Sequence, residues 1–338
     1  MVYTFALIKH ANIRYRDSVC RLGKFELQSM LRSLSVDCDI ISEEAGGAAF
    51  LTFECRPLSP EEISFLSGHS SLSFLAEKTP DGLFRPLSFS SVGYLPEDLP
   101  EVLKYKGKTS VSFTRMMLNV ALSVSSFAHS ESPLTVLDPL CGKGTTCFTA
   151  VQSGMNAIGL DLDRKAVREA VDYFSRYLKF HQMKHTMKSG SETCGSTSVP
   201  YTDFVFADSK DHFLNRDTRT LRLAVGDTSL SPSLTRHSPV HLMIADLPYG
   251  IQHAPQSGQK PETFVRLLTR SLPVWRQSLA PGGVLALSFN TLTLPTDCVI
   301  SLVERSGLIP CRDDIFTHLR HEVEQAVVRD VVFAVNTP

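Results

Sequence analysis

The sequence predicts an α/β protein in two parts: a small α+β ferredoxin-like domain over residues 1–99 and a Rossmann-like domain with a mostly parallel sheet over residues 100–338. Three observations carry this. From residue 134 onward, short apolar runs alternate with segments of helical periodicity, the pattern of crossover βα units. Leu134–Asp163 reads strand, glycine loop, helix, strand, acid, the opening of a nucleotide-binding sheet. Ahead of residue 100 the order is βαββα followed by further short strands, which resembles a ferredoxin-like unit.

The first part begins with a strand over Tyr3–Lys9. Arg16–Leu34 places Leu22, Phe25, Leu27, Met30, Leu31 and Leu34 at helical spacing. Asp37–Ser42 and Gly47–Phe53 form a strand pair joined by Glu43-Glu44-Ala45-Gly46. Ser59-Pro60-Glu61-Glu62 starts a helix with a capping serine, proline at the first position and acids in the first turn. Short strands follow near Leu72–Phe74 and Phe84–Phe89, and Pro96–Pro100 marks a linker.

The second part opens with the basic run Lys104-Tyr105-Lys106-Gly107-Lys108 and a helix over Thr109–Phe127. Thr135-Val136-Leu137 is a buried-strand run stopped by Asp138-Pro139, and Thr145–Ser153 is a helix ended by Gly154. Ala157–Leu160 is the next strand and delivers Asp161 and Asp163. Arg164–Lys179 is an amphipathic helix whose distal end is basic, with Arg176, Lys179, Lys184 and Lys188. Ser189–Pro200, rich in serine, threonine and glycine, reads as a flexible loop. Thr202–Ala207, Thr220–Val225, Val240–Ala245 and Val284–Phe289 read as strands. Thr263–Ser278 and Thr296–Ser306 read as helices, Ile251–Pro261 as a loop, and Ala326–Ala334 as the last strand.

Composition narrows the function classes. With 43% hydrophobic and 20% charged residues, 338 residues can bury a sizeable core. A net charge of -1 excludes a global basic field, so nucleic acid would have to be held by local patches such as Lys104–Lys108 or Arg176–Lys188. MVYTFALIKH has no secretory pattern and no run is long enough to span a bilayer, so no membrane contact and a cytoplasmic location are expected. The 8 cysteines are scattered without C-x-x-C, as reduced thiols are. His181 and His185 stand four apart without a third ligand, so no metal is expected.

Two motifs carry the chemistry. In Asp138-Pro139-Leu140-Cys141-Gly142-Lys143-Gly144-Thr145-Thr146 the glycines allow a tight turn and close approach to a ligand, and a helix N-terminus follows. A phosphate loop fails here because Gly142-Lys143 is followed by Gly144 with no glycine at the needed distance before it. A dinucleotide loop fails because Cys147 stands at its third glycine. S-adenosylmethionine remains, with Asp138 suited to the methionine ammonium and Asp161 to the ribose hydroxyls. Asp227, ending the third strand in Gly226-Asp227-Thr228, suits either the adenine amine or the capping of the next turn.

The second motif is Asp246-Leu247-Pro248-Tyr249 at a strand end. An amine on a planar ring is a poor nucleophile because its lone pair is delocalised. The Asp246 carboxylate and the Leu247 carbonyl can accept its N–H groups, Pro248 stiffens the corner, and Tyr249 can stack on the base. Asp246 is also placed to take the proton. Leu247 stands where the commoner spelling has proline.

KGKTSVSFTRMMLNVAL, LDPLCGKGTT, GLDLD and ADLPYGIQH together resemble the tRNA guanosine-N2 methyltransferase family, in particular bacterial members related to the archaeal and eukaryotic enzymes that act on guanosine 10. The resemblance covers roughly residues 100–335. It implies an S-adenosylmethionine-dependent enzyme methylating guanine N2 in RNA, with tRNA the expected partner. It implies a donor site lined by Phe113, Thr114, Asp138, Pro139, Cys141, Gly142, Gly144, Thr145, Thr146, Asp161, Leu162, Asp227, Thr228 and Asp246, and an acceptor site of Asp246, Leu247, Pro248 and Tyr249. Family members usually add an RNA-binding THUMP module, for which residues 1–99 leave no room beside a ferredoxin-like domain. RNA capture then falls to the basic edges or to a partner protein. The alternatives are a DNA adenine or cytosine N-methyltransferase and a donor-binding subunit without catalysis of its own.

Overall fold

The computed structural model describes the chain except residues 10–12, 89–92, 106, 236–237, 249–255, 258–259, 262, 318, 325 and 338, with backbone alone at 13–17, 256–257, 260–261, 317 and 324. The N-terminal part is an antiparallel five-stranded sheet of order β2-β3-β1-β4-β5. Its elements run β1 (Val2–Leu7), α1 (Ile13–Ser33), β2 (Ile40–Ala45), β3 (Ala48–Glu54), α2 (Pro60–Ser67), β4 (Leu72–Lys78) and β5 (Phe84–Pro86). Tyr3, Phe5 and Leu7 alternate onto the buried face and pack with Leu27, Met30 and Leu31 of α1, so one strand period meets one helical stripe. The start of α2 follows its sequence. Ser59 Oγ accepts from the Glu62 N–H and Glu62 accepts from the Ser59 N–H. Arg56 forks Glu62 and holds its carboxyl down to about 2.

The remaining elements are α3 (Leu99–Val102), α4 (Val111–Val124), β6 (Thr135–Asp138), α5 (Thr145–Gln152), β7 (Asn156–Asp161), α6 (Arg164–Phe180), β8 (His185–Cys194), β9 (Thr197–Phe206) and α7 (Lys210–Leu214). Then come β10 (Arg219–Val225), α8 (Ser231–Thr235), β11 (Val240–Asp246), the short β12 (Gln256–Ser257) and β13 (Lys260–Pro261), α9 (Phe264–Ser278), β14 (Leu279–Asn290), α10 (Thr296–Arg305), β15 (Ile309–Pro310), β16 (His321–Glu324) and β17 (Val327–Val335). The large sheet has the order β15-β17-β14-β11-β6-β7-β10-β9-β8, with β16 on β17. β10, β7, β6, β11 and β14 are parallel, and β17 runs against β14. This is a Rossmann-like, doubly wound sheet.

Its central strands are apolar on both faces because both are covered. Val136 faces the layer of α4, α5 and α6, whereas Leu137 faces α9 and α10. The two sheets meet through α1 and α4. There the fully buried Glu26 accepts from Ser70 N–H at 2.8 Å, from the Ser70 hydroxyl at 2.5 Å and from Asn119 Nδ2 at 2.6 Å.

One sequence expectation is overturned. Ser189–Pro200 is not a loop but most of the β8–β9 hairpin, paired from His185↔Phe206 to Cys194↔Thr197. Gly195 takes φ +62 in the two-residue connection. Arg222 of β10 binds Asp203 at 2.7 and 2.8 Å and Glu192 at 3.3 Å, and lies 4.2 Å from the Tyr201 ring centre. Tyr201 in turn covers Gly190 so closely that a Cβ there would stand 2.7 Å from its ring. Cross-strand partners, not apolar alternation, hold this hairpin.

Candidate active site at the carboxyl edge of the sheet

The chain leaves β6 for β7 and β10 on one side and for β11 and β14 on the other. The switch point of such a sheet opens a crevice beyond the carboxyl ends of its strands. Asp138, the last residue of β6, pairs with Gly159, so Asp161 overhangs it by two residues on β7. On the other flank Leu137 pairs with Met243, so Asp246 likewise projects beyond Asp138. The glycine loop and the Asp246 corner thus share one edge.

The loop is built tightly. Cys141 N–H bonds Leu160 O at 3.0 Å and Gly144 N–H bonds Cys141 O at 2.7 Å. Gly142 (φ +50) and Gly144 (φ +86) both need the left-handed region, and a Cβ on Gly142 would meet nothing within 4 Å. Gly142 therefore faces open space at the crevice. Its N–H bonds Asp161 Oδ2 at 2.7 Å, and Asp163 N–H bonds Asp161 Oδ1 at 2.8 Å. Burial raises the Asp161 carboxyl above its usual range in spite of these donors. Leu162 beside it is 39% exposed.

Asp138 is buried at the floor. Its Oδ1 accepts from Leu140 N–H at 3.0 Å. Burial pushes its carboxyl up to about 7, against the Thr146 hydrogen bond and with a further push from Asp161 and Asp246. Cys141 and Cys147 are buried beneath the loop, where their sulfurs crowd Gly159. Lys143 pairs with Glu169 and lies 5.1 Å from the Tyr105 ring centre, a structural role.

Asp246 ends β11 next to Ser288 of β14, and Leu247 N–H bonds Ser288 O at 2.9 Å. The Thr109 hydroxyl donates to Asp246 Oδ2. Leu247 is buried and Pro248 half-buried. Tyr249 and most of the Ile251–Pro261 stretch lie outside the described residues.

The other expected residues make the following contacts. Phe113 and Thr114 are buried in α4: Phe113 lies under the Arg329 guanidinium at 4.3 Å, and the Thr114 hydroxyl bonds Ser110 O at 3.2 Å. Asp227 caps the turn Thr228–Leu230 and is forked by Arg270 at 2.6 and 3.0 Å. Burial opposes its ionisation, but the Arg270 and Ser229 bonds hold its carboxyl below the usual range. The Thr228 hydroxyl accepts from Trp275 Nε1 at 2.9 Å.

His181 caps α6 while His185 opens β8, so the two share no helix. Among the described residues no group of three or more metal-binding side chains forms, and no helix is long and apolar enough to cross a membrane. The basic residues Arg176, Lys179 and Lys184 sit at the end of α6 and the start of β8, the edge of the sheet opposite the crevice. Lys108 is half-buried, with Nζ 2.5 Å from Pro100 O, and burial lowers its pKa. Lys104 is exposed.

No family model matches the chain. A stretch of 66 residues is 38% identical to "Putative methylase YubD" of Escherichia coli K12, which is 19% of this chain and 28% of that protein's length. Among solved structures, TrmN from Thermus thermophilus is similar at 16% identity over 90% of this chain and 64% of that one, with a TM-score of 0.40. The T. thermophilus 16S rRNA N2 G1207 methyltransferase RsmC, solved with AdoMet and guanosine, is similar at 14% identity over 88% and 58%, with a TM-score of 0.39.

Sequence reading missed Tyr105 and Thr109 as parts of this edge. The Tyr105 hydroxyl shares a 2.8 Å hydrogen bond with the Thr145 hydroxyl, and burial raises its pKa. The only sequence signal was their place just before a helix that leads into the first strand.

Proposed function

We propose that this chain is an S-adenosylmethionine-dependent N-methyltransferase acting on an exocyclic nucleobase amine, guanine N2 in tRNA. The observation that carries the reading is the overhang of Asp161 and Asp246 on either side of the buried Asp138, at the switch point of one sheet. The residues suit such a donor. Gly142 leaves space for close approach, and Asp161 spends its carboxylate on backbone donors while keeping acceptor capacity for ribose hydroxyls. Asp138 ionises to meet an ammonium. The 66-residue likeness to a protein named as a methylase supports the same class.

When bound, the donor supplies an electrophilic methyl group on a sulfonium, whose carbon–sulfur electron pair stays on sulfur. The chain's part is to hold and orient. The Asp246 carboxylate and the Leu247 carbonyl accept the amine N–H groups and favour a pyramidal nitrogen, Tyr249 stacks on the base, and Asp246 takes the departing proton. Leu162, exposed beside Asp161, offers an apolar surface for the donor. We read residues 1–99 as a ferredoxin-like domain, supported by the strand order β2-β3-β1-β4, and residues 100–338 as the methyltransferase domain. RNA enters past the exposed Lys104, with a partner protein adding to capture.

The test is transfer of a radiolabelled methyl group to total tRNA, rRNA and DNA, followed by nucleoside analysis. N2-methylguanosine from tRNA is the expected product. Methyladenine or methylcytosine from DNA would replace this reading. Donor binding without transfer to any acceptor would make the chain a donor-binding subunit.

A further inference from the structure

Between α3 and α4, Tyr105 and Thr109 both lie at the carboxyl edge of the large sheet. Tyr105 is bound to Thr145, the first residue of α5. Thr109 donates its hydroxyl to Asp246 Oδ2. Tyr105 is thus tied to the glycine-loop side and Thr109 to the Asp246 corner.

The Thr109 tie stands on a rigid support. α4 begins at Val111, one residue past Ser110, and its first turn is held by the Thr114 hydroxyl on Ser110 O and by Phe113 buried beneath Arg329. A carboxylate at a strand end turns about two side-chain bonds. A fixed donor on one oxygen sets the carboxylate plane, and with it the direction of the other oxygen.

We propose that Thr109 is a positioning residue for methyl transfer: its hydroxyl fixes the orientation in which Asp246 accepts from the acceptor amine. This rests on the reading of Asp246 given above. Two features favour a positioning role over simple packing. The contact is polar and lands on the one carboxylate of the acceptor corner. It also comes from a residue four positions after Tyr105, which is bound to Thr145 at the start of α5.

Thr109→Val keeps the shape without the donor, and Thr109→Ser keeps the donor with less bulk. With S-adenosylmethionine and total tRNA, Thr109→Val is expected to lower kcat by about tenfold to a hundredfold. Its donor Kd by calorimetry should stay within about twofold, and its KM for tRNA within about threefold. Thr109→Ser should stay within about threefold of the wild type in every constant.

Wild-type kcat in Thr109→Val, equal damage in Thr109→Ser, or donor affinity falling as far as kcat would each overturn the proposal. If the wild type methylates none of tRNA, rRNA or DNA, the functional reading falls and the positioning role with it; if it methylates one of them, the Thr109 variants test the positioning role alone.

Discussion

On the function proposed above, Asp138 should make donor binding a proton-releasing reaction. Its carboxyl is buried, and its pKa stands at about 7 instead of 3.8. A donor carrying an ammonium and a sulfonium favours the ionised form, so below pH 7 the site must shed a proton to bind. At pH 6 about 9% of Asp138 is ionised and at pH 8 about 91%, so Asp138 by itself should raise affinity about tenfold between them. Asp161 is raised as well and changes affinity with the same sign. The assay is titration calorimetry at both pH values, in two buffers of different ionisation enthalpy, which counts protons directly. Release of about 0.9 proton per donor is expected at pH 6, falling to about 0.1 at pH 8 if Asp138 acts alone. Asp138→Asn should bind more weakly and lose most of the slope. Affinity flat from pH 6 to pH 8, with no buffer dependence, would refute the reasoning.

Asp161→Ala should weaken donor binding by about 1.5–3 kcal/mol in the same calorimetry, by losing both the carboxylate and its hold on Gly142. Asp246→Ala should bind donor with near wild-type affinity and transfer no methyl group, read by single-turnover labelling. Gly159→Ala places a Cβ 2.9 Å from Cys141 Sγ, Cys147 Sγ and Leu223 Cδ2, so it should cost about 1–3 kcal/mol of stability in urea unfolding. For the chain without donor, the raised Asp138 pKa stabilises the fold fully below about pH 4, and this contribution is lost as pH rises through about 7. Asp138→Asn should flatten that part of the stability–pH curve in thermal unfolding.

Much of this layout was legible in the sequence. The runs that became β6, β7, β10 and β11 announced themselves because strands buried on both faces read as continuous apolar stretches. Ser59 through Glu62 fixed a helix start by chemistry confined to four residues. The β8–β9 hairpin was misread because serine and threonine outnumber apolar residues there. Its register depends on Arg222 and Tyr201, though Gly195-Ser196 was a hairpin signal. Asp227 meets Arg270 from 43 positions away and Thr109 meets Asp246 across 137. No local pattern encodes either contact, because both arise only when the sheet is wound.

The Glu26–Asn119 contact turns α4 into a ruler. Asn119 is clamped from the N-terminal side, and the helix from Val111 to Asn119 spans about 12 Å, with Thr109, which touches Asp246, two residues ahead of it. On the function proposed above, a ligand gripped on the small antiparallel sheet would be held at a set distance from the Asp246 corner, and target choice would be a matter of span as well as of base chemistry: a nucleotide placed at the wrong interval by its surroundings would not reach the corner.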